Sequence, residues 1–136
     1  MAEGLETVDI AYEADLLRVR TVLRRLAVAN GFGIVDQTKL VTAGSELARN
    51  ILKYASGPNG RMVAGVVESG ERIGLRAVFS DAGPGIADVA AALGDGFSSG
   101  GTLGLGLPGA RRLVDEFAID TAPGSGTRVS LTKWKT

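Results

Sequence analysis

Eleven of the chain's twenty glycines fall between Asp81 and Gly126. Glycine weakens helix and strand interiors, and it supplies backbone that can turn with positive φ or lie close to a ligand. A chain that concentrates glycine in one third of its length is expected to build a ligand site there. The glycines sit in short spaced motifs and not in one low-complexity run. This pattern favours a ligand-binding loop over a structureless surface linker.

The flanking segments are regular in pattern. Residues 5–11 alternate weakly and read as a short strand. Residues 13–29 carry Leu16, Val19, Val22, Leu23 and Leu26 at helical spacing, with Asn30-Gly31 as a stop signal. Arg18, Arg20, Arg24 and Arg25 decorate the other faces of this helix and read as a solvated surface more than as a partner-binding patch. A second helix is expected over 36–54, with Asp36 as its N-cap and Leu40, Leu47 and Ile51 along one side. SGPNG at 56–60 is a turn. Strands over 61–69 and 71–80 follow, joined at Ser69-Gly70, with Ile73, Leu75, Ala77 and Phe79 on one face of the second.

Beyond the break at Asp81, a short helix is expected near 87–93 and a longer one over 107–117, with Pro108 in its first turn. Strands over 117–122 and 127–134 close the chain around a PGSG turn at 123–126. The order β-α-α-β-β-(α)-α-β-β, with its runs of like elements, predicts an α/β two-layer sandwich. Its sheet would be mixed and mostly antiparallel, with helices on one face. At 136 residues, without an internal repeat or linker, residues 1–136 read as a single domain.

Composition removes several chemistries. There is no cysteine and no histidine. Disulfides, thiol nucleophiles, Cys or His zinc sites, Ser-His-Asp catalysis and a phospho-accepting histidine are all excluded. Fifteen basic residues balance fifteen acidic ones, which argues against nucleic acid or an anionic membrane as partner. The first residues are acidic and no apolar run is long enough to span a bilayer, so a cytoplasmic location is expected.

Four short motifs carry candidate chemistry. In SELARN, Glu46 and Asn50 are four apart and share a helix face. A carboxylate can serve as general base, and an amide oxygen suits Mg²⁺, a hard cation. In DAGPG, Asp81 ends an apolar strand, where its carboxylate can accept a hydrogen bond from a purine amino group beside the turn made by Gly83 and Gly85. GLGLPG at 104–109 opens a helix, and its amides suit phosphate. In PGSGT, the Thr127 hydroxyl can face a ligand. Each motif alone also has an ordinary reading, as a surface pair or a turn. Gly104, Gly106 and Gly109 match a dinucleotide fingerprint too, but no strand leads directly into them, and the absence of any Gly-Lys pair excludes a P-loop.

Taken together, the four motifs resemble the GHKL (Bergerat-fold) ATP-binding superfamily, which joins gyrase, Hsp90, histidine kinases and MutL. SELARNILKYA, DAGPGI, GDGFSSGGTLGLGLPGARRLVDEF, GFGIVDQTK and the ending RVSLTKWK are similar to the RsbT-type serine/threonine kinases of the bacterial stressosome, over nearly the whole chain. The resemblance implies a Bergerat fold and an ATP-dependent protein serine/threonine kinase using Mg²⁺. It implies that Asn50 ligates the metal and that Glu46 is the general base. Asp81 would bind the adenine amino group, with Gly83 and Gly85 shaping that pocket. Gly104 and Gly106 would contact phosphates from the lid, and Thr127 would support the adenine through water. It further implies small STAS-domain proteins as substrates and a PP2C-type phosphatase that the released kinase binds and activates, in a partner-switching stress cascade.

Two alternatives stand beside the kinase switch. One is an ATP-gated binding module that activates a phosphatase without transferring phosphate. The other is an anti-sigma factor kinase that sequesters a sigma factor; its relatives usually carry a histidine soon after the helix asparagine, where this chain has Lys53-Tyr54. Between Gly96 and Pro108 there is no Lys or Arg, so the lid offers no cation to the γ-phosphate. Arg49, Lys53, Arg111 and Arg112 are the nearby candidates.

Overall fold

The computed structural model describes residues 5–54, 60–81, 107–121 and 126–136. In chain order these form β1 (Glu6–Ile10), α1 (Ala14–Ala29), α2 (Ile34–Tyr54), β2 (Gly60–Ser69), β3 (Arg72–Asp81), α3 (Leu107–Leu113), β4 (Glu116–Thr121) and β5 (Thr127–Trp134). The sheet runs β1-β2-β3-β5-β4, and all four described pairings are antiparallel. The two-layer α/β architecture expected from the element order is the one observed. The short helix expected near 87–93 and the turns at 56–59 and 123–125 lie outside the described residues.

Strand alternation builds the core. Val8, Met62, Phe79, Val129 and Ile119 are successive cross-strand partners, forming one apolar row across the whole sheet. Ala64, Ala77, Leu131 and Phe117 form the next. Side chains two apart on a strand share a face, so both rows point the same way. Opposite them lie Leu16, Val19, Leu23 and Leu26 of α1 and Leu40, Leu47 and Ile51 of α2, all in the same buried cluster. Gly44 sets how closely α2 packs on α1. A methyl group there would collide with Leu23 Cδ1 and touch Phe79 Cζ at 3.5 Å.

The helix ends explain where expectation and structure part. α1 stops as predicted: Gly31 takes φ +79, and the Phe32 amide donates to the Ala27 carbonyl at 2.9 Å, the six-to-one bond of a glycine-terminated helix. α2 starts two residues before the expected Asp36 cap. The Gln37 amide donates to the Gly33 carbonyl at 2.9 Å, which places Asp36 inside the first turn. α3 ends at Leu113 and not at 117, because Phe117 belongs to β4 and pairs with Leu131.

Asp36 instead anchors the C-terminal strand. It accepts from both the hydroxyl and the amide of Thr136, and Lys133 Nζ sits 3.4 Å from its other oxygen. Lys133 also lies 3.3 Å from Asp115, whose carboxylate accepts from the Trp134 amide at 2.6 Å. The Lys133 and Asp36 side chains are only 6% and 8% exposed. A buried cation is tolerable because two carboxylates flank it.

Candidate nucleotide site

Glu46 and Asn50 sit on one face of α2, one turn apart, as their spacing requires. Glu46 is half-exposed, and the Arg49 guanidinium donates to its Oε1 at 3.0 Å. Asn50 is different. Its Oδ1 is buried and has no hydrogen-bond partner among the described residues. A buried amide oxygen left this way costs roughly 1–3 kcal/mol, and a cation or donor brought to it recovers that cost. Oxygen is the donor Mg²⁺ prefers.

Asp81 is the last residue of β3 and Thr127 the first of β5. The register makes them direct partners. Both continue the alternation of Phe79 and Val129, so they belong to the helix-facing side of the sheet, the side on which α2 packs. Both are half-buried and both are engaged in interactions. The fold thus brings together two residues that are 46 apart in sequence. Gly83, Gly85, Gly104 and Gly106 lie outside the described residues.

α3 packs against α2, with Ala110 fully buried at the contact. Pro108 stands in its first turn, as expected, and Arg111 and Arg112 are exposed in its last. Among the described residues no group of three or more acidic side chains could hold a metal.

A separate hollow of about 550 Å³ opens beside the ends of β1 and β3, lined by Asp9, Tyr12, Asp15, Arg18, Arg61 and Ser80 among others. It holds none of the four candidate side chains. Its charges are paired internally, Arg61 with Asp9 at 3.2 Å and Arg18 with Asp15 at 3.6 Å. The Asp15 carboxyl is held below the usual aspartate range, chiefly by the Ala11 and Tyr12 amides that donate to it, and it ties β1 to the start of α1.

Sequence reasoning did not find the Arg49 contact to Glu46 or the Lys133–Asp36–Asp115 cluster. Arg49 was detectable in principle as an i,i+3 pair. The cluster joins residues up to 97 apart and leaves no local signal.

Comparison with known proteins finds both sequence relatives and structural neighbours. The family described as histidine kinase-, DNA gyrase B- and HSP90-like ATPase matches residues 35–136. The serine/threonine-protein kinase RsbT of Bacillus subtilis (strain 168) is 44% identical over 127 residues, covering 93% of this chain and 94% of that protein. Among solved structures, the RsbU and RsbW domains of Rv1364c from Mycobacterium tuberculosis align with a TM-score of 0.69 at 22% identity; the match spans 97% of this chain and a third (33%) of that one. The catalytic domain of the histidine kinase ThkA aligns at a TM-score of 0.55 and 15% identity, covering 97% of this chain and 96% of that one. At such identities the two structures speak for the fold.

Proposed function

Because the chain belongs to the histidine kinase-, DNA gyrase B- and HSP90-like ATPase family and is similar to RsbT along most of its length, we propose that it is an ATP-dependent protein serine/threonine kinase acting as a partner switch. The observation that carries the reading is the orphaned Oδ1 of Asn50, one turn from the Glu46 carboxylate. A structural asparagine would satisfy that oxygen within the fold.

In this reading residues 1–136 form one nucleotide-binding unit. Asp81 accepts a hydrogen bond from the adenine amino group, and Gly83 and Gly85 shape the pocket beside it. Thr127, across the strand pair from Asp81, supports the base. Gly104 and Gly106 present amides to the phosphates. Asn50 would hold Mg²⁺, which when bound neutralises charge on the phosphate oxygens. Glu46 takes the proton of the acceptor hydroxyl as that oxygen bonds to the γ-phosphorus. The bond from the γ-phosphorus to the β–γ bridging oxygen breaks, and ADP leaves. Arg49 holds the carboxylate through Oε1, leaving Oε2 for the proton. Phosphoryl transfer needs placement and charge neutralisation more than covalent help. With no lid cation from Gly96 to Pro108, turnover is slow, as suits a switch.

The substrates are Ser or Thr residues of small STAS-domain proteins, and the released kinase binds and activates a PP2C-type phosphatase in the cytoplasm. No helix among the described residues is long and apolar enough to cross a membrane. The test is transfer from γ-labelled ATP to a small STAS-domain protein. Mg²⁺-dependent label that is lost in Asn50→Ala and Glu46→Gln supports the kinase. No label, with Mg-ATP-dependent binding to the phosphatase, means a nucleotide-gated activator.

A further inference from the structure

We propose that the outward groove between α1 and α2 is a docking surface for an acidic amphipathic helix presented by another protein. The groove measures about 480 Å³ and is lined by Leu17, Arg20, Thr21, Arg24, Arg25 and Val41. Val41 is a buried floor and Leu17 stands 65% exposed at the rim. Leu17, Thr21, Arg24 and Val28 recur at helical spacing along α1, a stripe roughly 16 Å long at 1.5 Å per residue. That is about three turns of a helix laid against it.

Charge identifies the occupant. Most arginines with described contacts have carboxylate partners: Arg25 makes two 2.6 Å bonds to Glu6, Arg61 meets Asp9, Arg49 meets Glu46 and Arg18 meets Asp15. Arg20 and Arg24 break this pattern. Arg20 Nε donates to the Ser45 hydroxyl at 2.9 Å, and Arg24 donates to the Gln37 amide oxygen at 3.3 Å. Both acceptors are neutral. They engage the two guanidiniums without cancelling their charge. Two uncancelled cations flanking an apolar floor suit a helix with carboxylates on its flank and leucine-type side chains beneath, the helix-in-groove mode of recognition. A membrane-binding face is instead a broad apolar surface fringed by basic residues, whereas here the arginines are in the groove itself. The groove lies on the α1 side of α2, and the docking reading stands whether or not the chain transfers phosphate.

The test uses the full ¹⁵N-labelled chain and a synthetic peptide of about eighteen residues, long enough to form helix, with glutamates on one face and leucines on the other. The expected result is amide shifts centred on Leu17, Arg20, Thr21, Arg24 and Val41, with affinity falling about tenfold or more in Arg20→Glu/Arg24→Glu. The Arg20→Gln/Arg24→Gln variant, which keeps hydrogen-bonding capacity, should lose affinity as well while retaining the unperturbed spectrum elsewhere. A lysine-for-glutamate peptide should leave the groove unshifted. Any of four outcomes overturns the proposal: no binding by the acidic peptide, shifts centred elsewhere, equal binding by the lysine peptide, or vesicles rich in phosphatidylglycerol perturbing the groove in the peptide's place.

Discussion

Asp81 and Thr127 face each other across the β3–β5 pair, at the point where the glycine-rich stretch leaves the sheet. Neither strand alone makes this juxtaposition. A carboxylate and a hydroxyl on one rung can hold both edges of a flat base, provided the sheet register is kept.

Replacing Asp81 by Asn removes the charged acceptor and adds a donor where the base presents one. A hydrogen bond to a charged group contributes about 1.5–3 kcal/mol, so ATP affinity should fall roughly 10- to 100-fold. Calorimetric titration with ATP and GTP measures it. Unchanged ATP affinity with unchanged preference over GTP would remove Asp81 from the base pocket.

Asn50→Ala should separate function from stability. Its Oδ1 is buried and unpartnered among the described residues, so deleting it should leave the urea midpoint unchanged or raise stability by up to about 1 kcal/mol. The Mg²⁺ dependence of ATP binding should disappear. A clear loss of stability would show that the oxygen has a structural partner.

Acid should weaken the fold through Asp36. The Thr136 hydroxyl, together with the Thr136 amide and the Lys133 ammonium, holds this carboxyl below the usual 3.8 against the opposing effect of burial. A carboxyl with a lowered native pKa stabilises the folded state above its unfolded pKa, and that contribution is lost as pH falls through the native value. Asp15 acts in the same direction. The urea midpoint should therefore drop as pH falls from about 5 toward 2. Asp36→Asn and Thr136→Ala should each flatten the drop. Parallel curves for wild type and Asp36→Asn would refute the assignment.

Gly44→Ala tests the spacing between α1 and α2. Alanine favours helix by about 1 kcal/mol, but the added methyl collides with Leu23 Cδ1 in a fully buried site. Overpacking of this kind costs about 1–3 kcal/mol, so the net change should be neutral to destabilising. In the Leu23→Ala background, where that space is open, the same substitution should be stabilising. A double-mutant cycle by urea unfolding checks this, and an additive result would show that the two positions do not touch.

Local chemistry was legible where local chemistry decides. The alternation of Ile73, Leu75, Ala77 and Phe79 belongs to one strand, and Asn30-Gly31 ends α1 in the left-handed turn that glycine permits. The hairpin turn falls at Gly70-Glu71, one residue along, with Gly70 at φ +62. Misreadings came where distant partners decide. Asp36 has the composition of a cap, yet Thr136 and Lys133 claim its carboxylate. Phe117 suits a helix or a strand, and Leu131 across the ladder settles which. Among the candidate site residues, the Glu46–Asn50 spacing could be read from four positions of sequence. The Asp81–Thr127 rung could not, because it depends on β5 inserting between β3 and β4.

That insertion has a consequence for synthesis. β5 is the last strand in chain order, yet it is an interior strand of the sheet. Until it emerges from the ribosome, β3 presents an unpaired edge and β4 has no described neighbour to pair with. β1, β2 and β3 can pair with one another beforehand, but that nascent unit carries an open edge of the kind that recruits other strands. Synthesis of β5 both closes that hazard and sets Thr127 beside Asp81, so a chain cut before β5 is at once the more aggregation-prone and the one lacking this rung.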